Sequence, residues 1–313
     1  MTAIEATDVT KTYGDVTALD DLTLEVEAGS TFGLLGTNGA GKTTLFKLLV
    51  NHIRPDAGRL SVAGMDVANA GAEVRQVVGY LPEQAGFPPS LSGREVLTFH
   101  ARMRGLDGAT RAERVDDVLD TVGLSDAADR RVAGYSNGMN RRLGLATALL
   151  AQPRILLLDE PTSGLDPLGV ADFHRIVRRL HAEDDLTVVL SSHVLAEVEA
   201  LCDAVAVLHD GRLRAAGAVG ELRAAGDGRV VVEVRLTPTA DHDPVFDATA
   251  GLAEVERAAS DAMTLWCERA DVPSLLERLL ERSAVEGFEV NEPGLDRLFE
   301  ALAEEERSRE VAA

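Results

Sequence analysis

Lysine is almost missing from this chain: its 313 residues include Lys11, Lys42 and Lys47 and no other lysine. Arginine does not make up the difference, since Asp and Glu total 52 against 31 basic residues, for a formal net charge of −21. A surface of that sign repels polyanions, which sets aside nucleic acid and anionic lipid as direct ligands. Acid excess with so little lysine suggests a protein suited to a salty cytoplasm and encoded by a GC-rich genome; an ordinary acidic protein is the alternative reading. In molar salt the Debye length is only about 3 Å, so the self-repulsion would be largely screened. Cysteine is scarce too. Cys202 and Cys267 lie far apart with no paired spacing, which excludes a disulfide framework or a Cys-x-x-Cys metal site and suits buried thiols in a reducing cytoplasm. No apolar run approaches the roughly 18 residues of a spanning helix, and the N-terminus has no signal-like pattern, so the chain is not expected to cross a membrane. No internal repeat is visible.

What is present is a phosphate-binding pattern. Thr31-Phe32-Gly33-Leu34-Leu35 is a short apolar run that reads as a buried strand. It leads into Gly36-Thr37-Asn38-Gly39-Ala40-Gly41-Lys42-Thr43-Thr44, which fits G-x-x-x-x-G-K-[ST], and Leu45-Phe46-Lys47-Leu48-Leu49 continues with helical spacing. Strand, loop and helix in that order are the setting this motif requires. The glycines let backbone N–H groups turn in around phosphates, and the helix N-terminus adds positive potential. Lys42 would reach the β and γ phosphates, and Thr43 would offer its hydroxyl to magnesium. Much later, Ile155-Leu156-Leu157-Leu158 is too short for a helix and suits a central parallel strand. Asp159 at its end can hold the magnesium shell. Glu160 is placed to orient or polarise an attacking water, and phosphoryl transfer asks for little more than such positioning and charge stabilisation. An Asp-Glu pair could be plain surface charge, but the following Pro161-Thr162-Ser163-Gly164-Leu165-Asp166 speaks against it.

Three further segments complete an ordered set: Glu83-Gln84, Tyr135-Ser136-Asn137-Gly138-Met139 and Ser192-His193. The set resembles the ATP-binding subunit of an ABC transporter, and the resemblance covers about residues 4–217. It implies ATP and Mg2+ as cofactors, with Tyr13 stacking on adenine. It also implies that Ser136-Asn137-Gly138-Met139 stands for the family signature, whose usual form is Ser-Gly-Gly-Gln. Asn137 and Met139 depart from that form, while Ser136 and Gly138 keep the hydroxyl and the close backbone N–H for a γ-phosphate. Taken alone, the same serine would be an ordinary helix cap. In the family this signature closes the pocket of a second protomer, so the resemblance implies a head-to-tail homodimer with two shared nucleotides. Ser163-Gly164-Leu165-Asp166 resembles the loop that crosses between the two sites, and His193 stands where the switch histidine contacts the γ-phosphate. The other six histidines are read as structural. The magnesium-contacting glutamine follows a Gly-Tyr-x-Pro run, here Gly79-Tyr80-Leu81-Pro82, so counting puts Glu83 in its slot and Gln84 one later; either could reach the metal. Thr37 replaces a proline common in the family at a position without contacts.

The expected architecture is α/β: a P-loop ABC-type ATPase domain over residues 1–217, with a helical subdomain at about 85–150. A linker at 218–228 and a small α+β domain at 229–313 complete it. From residue 85 to 124 the pattern is helical and amphipathic (Val96, Leu97, Phe99, Met103, Leu106, Val115, Val118, Leu119, Val122), matching the subdomain that receives the membrane subunit in transporters. Beyond residue 228, strands are expected at 230–236, 263–267 and 287–290, and helices at 271–282 and 294–306. Pro293-Gly294-Leu295-Asp296-Arg297-Leu298-Phe299 resembles the tail motif of ATPases serving drug and polymer exporters. The expected function is ATP hydrolysis driving a separate integral-membrane subunit, with the chain peripheral on the cytoplasmic face. The alternative is an ABC ATPase of a soluble translation or repair machine, which usually carries two ATPase domains or a long coiled coil. A GTP switch is set aside because no Asn-Lys-x-Asp occurs. Residues 80–87 and 91–97 also look like the ATPase of the transporter that matures the copper enzyme nitrous oxide reductase, with multidrug or sodium-type exporter ATPases as the alternative.

Overall fold

The computed structural model describes residues 1–184, 186–224, 229–237, 243–259, 261–282 and 284–291. The chain divides into two compact units, Met1–Ala218 and Val219–Ala313. In chain order the first holds β1 (Thr2–Tyr13), β2 (Val16–Glu27), β3 (Thr31–Leu35), α1 (Lys42–Leu49), β4 (Ala57–Val62), β5 (Met65–Asp66), α2 (Gly71–Val77) and β6 (Val78–Leu81). The helices α3 (Gly93–Met103), α4 (Gly108–Thr121) and α5 (Asn137–Leu149) follow. The unit closes with β7 (Ile155–Asp159), α6 (Pro167–Asp184), β8 (Thr187–Ser192), α7 (Leu195–Leu201), β9 (Ala204–His209) and β10 (Arg212–Ala218).

Two sheets result. One is antiparallel, in the order β2-β1-β4-β5; the other runs β10-β9-β3-β8-β7-β6, parallel except for its edge strand β10. Strands β3, β7 and β8 are buried along their whole length, as continuous apolar runs in a sheet covered on both faces must be. Phe46 and Leu48 of α1 pack with Leu34, Leu157, Ala206 and the inner face of β1 in a single core.

The helical segment begins later than its amphipathic pattern suggests. Residues 85–92 form no helix, because Gly86, Pro88 and Pro89 deny it. Ser92 then opens α3 with a reciprocal cap: its Oγ accepts from the Glu95 N–H at 3.2 Å, and the Glu95 carboxylate accepts from the Ser92 N–H at 2.8 Å. Val96 and Leu97 are buried, whereas Phe99 and Met103, one turn apart, stand in solvent.

The second unit starts with α8 (Val219–Ala224), within the stretch 218–228 expected as the connection; residues 225–228 lie outside the described ones. Then come β11 (Arg229–Leu236), α9 (Asp243–Thr249), β12 (Ala253–Ala258), β13 (Ala262–Glu268), α10 (Val272–Leu280) and β14 (Val285–Asn291). The order β12-β13-β11-β14, antiparallel throughout, makes this a split βαβ unit. Val230, Val232, Val234 and Leu236 alternate into a core with Leu265, Leu275 and Leu279. The sequence pattern missed two of these elements. β12 is an edge strand rich in charge, and α9 opens on Asp243-Pro244, which reads as a turn yet is compatible with a helix start. The expected helix at 294–306 and the tail motif at 293–299 lie outside the described residues.

Candidate active site

Because β3, β8 and β7 are parallel neighbours, their C-terminal ends deliver the phosphate loop, Ser192-His193 and Asp159-Glu160 to one edge of the sheet. Ligands of open α/β sheets bind at such an edge. Gly36 leaves β3 so close to β9 that a Cβ there would lie 2.5 Å from the Leu208 carbonyl oxygen. Gly41 has φ +104°, and its Cβ would meet the Ala18 carbonyl oxygen at 2.4 Å, so no other residue fits the turn into α1. Above Gly39 the space is open.

Lys42 is 5 % exposed. Its ammonium donates to the carbonyls of Gly36 at 2.5 Å and Thr37 at 3.2 Å, and stands 3.1 Å from Glu160 Oε1. Asp159 is fully buried. Its Oδ1 accepts from Thr43 Oγ1 at 3.2 Å and from Ser191 Oγ at 2.7 Å, and its Oδ2 from the Tyr80 hydroxyl at 3.3 Å. Burial, reinforced by the Asp159 charge, raises the Tyr80 pKa well above its ordinary value, so this phenol stays a donor.

Glu160 has φ +43°, a left-handed conformation that costs a non-glycine residue about 1–3 kcal/mol and clusters at functional sites. Its N–H donates to Ser191 Oγ at 3.0 Å, and its Oε2 pairs with His193 Nδ1 at 2.8 Å. Oε1 is at ion-pair distance from Lys42 but off the line of a hydrogen bond, so a buried carboxylate oxygen remains open to a further donor. That open oxygen, the ammonium resting on its own loop and the free space above Gly39 fit a triphosphate group with an attacking water.

The other predicted residues fall in two groups. Ser136, Asn137, Gly138 and Asp166 do not line this pocket; with Arg142 and Leu165 they border a separate groove of about 430 Å3. Ser136 caps α5, accepting from the Met139 N–H at 3.2 Å, and Asp166 caps α6, accepting from the Gly169 N–H at 2.7 Å. Tyr13 ends β1, 46 % exposed as a residue, with the Lys11 ammonium 5.6 Å from the ring centroid. Glu83 and Gln84 are both exposed. Gln84 borders a cavity of about 570 Å3 with Phe87, His100 and Met103, while the Glu83 charge is felt by Tyr80 and Arg141.

Sequence reasoning missed Arg141, Tyr80, Ser191 and Glu197. Arg141 was only one residue of an Arg-rich helix, but its guanidinium donates to the carbonyls of Pro82, Glu83, Asp159, Glu160 and Pro161. Burial lowers its pKa from the ordinary value, and the charges of Asp159, Glu83 and Glu160 oppose the shift. The available signal was spacing: Arg141, Leu145 and Ala148 share the buried face of α5. Glu197 accepts from Thr162 and, at 2.9 Å, from Ser192, joining the turn after Glu160 to the end of β8 just before His193.

A family model described as ABC transporter matches residues 19–163. The chain is 38 % identical to a daunorubicin resistance ATP-binding protein of Streptomyces coeruleorubidus, over 100 % of this chain and 99 % of that one. It is 39 % identical to a bacitracin transport ATP-binding protein of Bacillus licheniformis, over 68 % of each chain. A solved ATP-binding subunit of an ABC transporter superposes with TM-score 0.63 at 30 % identity, covering 71 % of this chain and 92 % of that one. With the phosphate loop, acidic strand end and histidine converging as described, these matches show that the chain belongs to the ATP-binding proteins of the ABC transporter family.

Proposed function

We propose that this chain is the ATP-hydrolysing subunit of an ABC exporter and works as a head-to-tail homodimer beneath a separate integral-membrane subunit. The observation that carries it is Glu160, buried in a strained backbone with one carboxylate oxygen held by His193 and the other open beside Lys42. In that setting Glu160 orients and deprotonates water, His193 and Lys42 steady the γ-phosphate, and residues 36–44 cradle the triphosphate. Magnesium, when bound, neutralises charge developing on the phosphates; Thr43, Asp159 and either Glu83 or Gln84 would hold it. Tyr13 stacks on adenine. Ser136, Asn137 and Gly138, facing their own groove, contact the nucleotide of the second protomer, with Asp166 in the crossing loop.

Residues 1–217 form the ATPase domain, 218–228 the connection and 229–313 an accessory domain. Among the described residues no helix is long and apolar enough to cross a membrane. The transport and resistance relatives support a chain that is peripheral on the cytoplasmic side of a separate membrane partner. The daunorubicin and bacitracin relatives support a drug-exporter assignment over copper-enzyme maturation or a soluble machine. Purification of the tagged chain from membranes tests this. A co-purifying integral-membrane protein that alters its ATPase rate is expected; recovery with ribosomes or repair proteins instead would overturn it.

The acid excess is read as adaptation to salt. The thermal midpoint should then rise by about 1.5–3 °C between roughly 0.1 M and molar KCl, the shift that about 1–2 kcal/mol of relieved repulsion gives at 313 residues. A flat melting profile would leave an ordinary acidic protein.

A further inference from the structure

We infer that Arg141 is a positioning residue that ties the catalytic turn of Glu160 to the helix carrying Ser136, and so couples the chain's own site to the one it completes in its partner. The inference rests on the roles proposed above for Glu160 and Ser136.

A guanidinium has five N–H donors. All five of Arg141 are used, each on a main-chain carbonyl: Nε on Pro161 at 2.6 Å, one terminal nitrogen on Pro82 at 2.7 Å and Glu83 at 2.6 Å, the other on Asp159 at 2.6 Å and on Glu160. The side chain is buried, so these bonds form where water does not compete. Removing such a donor set leaves the buried carbonyls of Asp159, Glu160 and Pro161 unpaired, which is what makes it hard to replace. Two segments are gripped at once. One is the Pro82-Glu83 stretch after β6. The other is the turn in which Glu160 holds φ +43°, a conformation that persists only where surrounding structure over-determines it.

Arg141 lies five residues after Ser136, about 7.5 Å along the same helix axis. A helix is stiff over that length, so a displacement of Ser136 by a nucleotide in the partner is carried to the Glu160 carbonyl. A shift of about 1 Å at a catalytic group costs on the order of 100-fold in rate, so this linkage decides whether Glu160 is aligned.

Arg141→Gln and Arg141→Lys test the inference. The first keeps two donors without charge, the second keeps charge without the planar fork. Both should bind ATP within about twofold of wild type, lose on the order of 100-fold in kcat and show a Hill coefficient for ATP reduced to about 1. Wild-type kcat and cooperativity in either variant would overturn the inference while leaving Glu160 untouched. Loss of ATP binding along with turnover in both variants would make Arg141 a structural prop and overturn it too. The proposed role of Glu160 is judged separately, by its own substitution in an otherwise wild-type chain.

Discussion

Glu160→Gln should bind ATP nearly as well as the wild type yet turn it over about 10²–10⁴-fold more slowly, the range lost with a positioned general base. The carboxamide is nearly the same size and still reaches His193, whose Nδ1 stands 2.8 Å from Oε2. It cannot take up a proton from water, nor can it carry the charge that now faces Lys42 at 3.1 Å. Losing that charge frees the ammonium for phosphate, so nucleotide binding has no reason to weaken. The variant should therefore accumulate as an ATP-bound dimer on size exclusion. Normal turnover in Glu160→Gln would end the assignment of Glu160 as the water-orienting base.

A mixture of Lys42→Ala and Ser136→Arg protomers should recover activity that neither has alone. Lys42→Ala removes the cation that would hold the β and γ phosphates, a loss of about two orders of magnitude or more for such preorganised charge. Ser136→Arg puts a bulky cation at the exposed cap of α5, where a small hydroxyl must approach a nucleotide. In a two-fold dimer each homodimer carries a lesion in both pockets, whereas the mixed pair has one pocket with both lesions and one with neither. With random pairing half of the dimers are mixed, so about a quarter of wild-type activity should return if the two sites fire independently. If they must fire together, photo-crosslinking from Ser136 still decides: label on ATP bound only to its own chain would mean that the sites are not shared.

Much of this site is legible in the sequence because its chemistry is written in contiguous segments. A phosphate loop is local: Gly36, Gly41, Lys42 and Thr43 fall within one turn and the first residues of one helix, so spacing alone specifies their arrangement. The strand-end Asp159-Glu160 is local in the same sense, since a four-residue apolar run has room for nothing but a buried strand. The second unit is legible where strands alternate cleanly, as in Val230, Val232 and Val234. It is illegible at β12, an edge strand in which Glu254 and Glu256 flank an exposed Val255, so the period-2 signal vanishes. At residues 85–92 the amphipathic pattern continued through Gly86, Pro88 and Pro89, and backbone sterics overrode it.

By itself the sequence determined the α/β class, the phosphate loop, the acidic pair and the histidine, together with the order in which they appear. Only the tertiary structure decided which of them meet. Parallel pairing of β3, β8 and β7 brings residues more than a hundred positions apart to one sheet edge, and leaves Ser136 and Asp166 outside the pocket their own chain forms. It also turned Arg141 from one arginine among several into the residue that grips two loops. Helical spacing could mark Arg141 as facing inward, but its partners are main-chain carbonyls, which every residue possesses and no sequence pattern distinguishes.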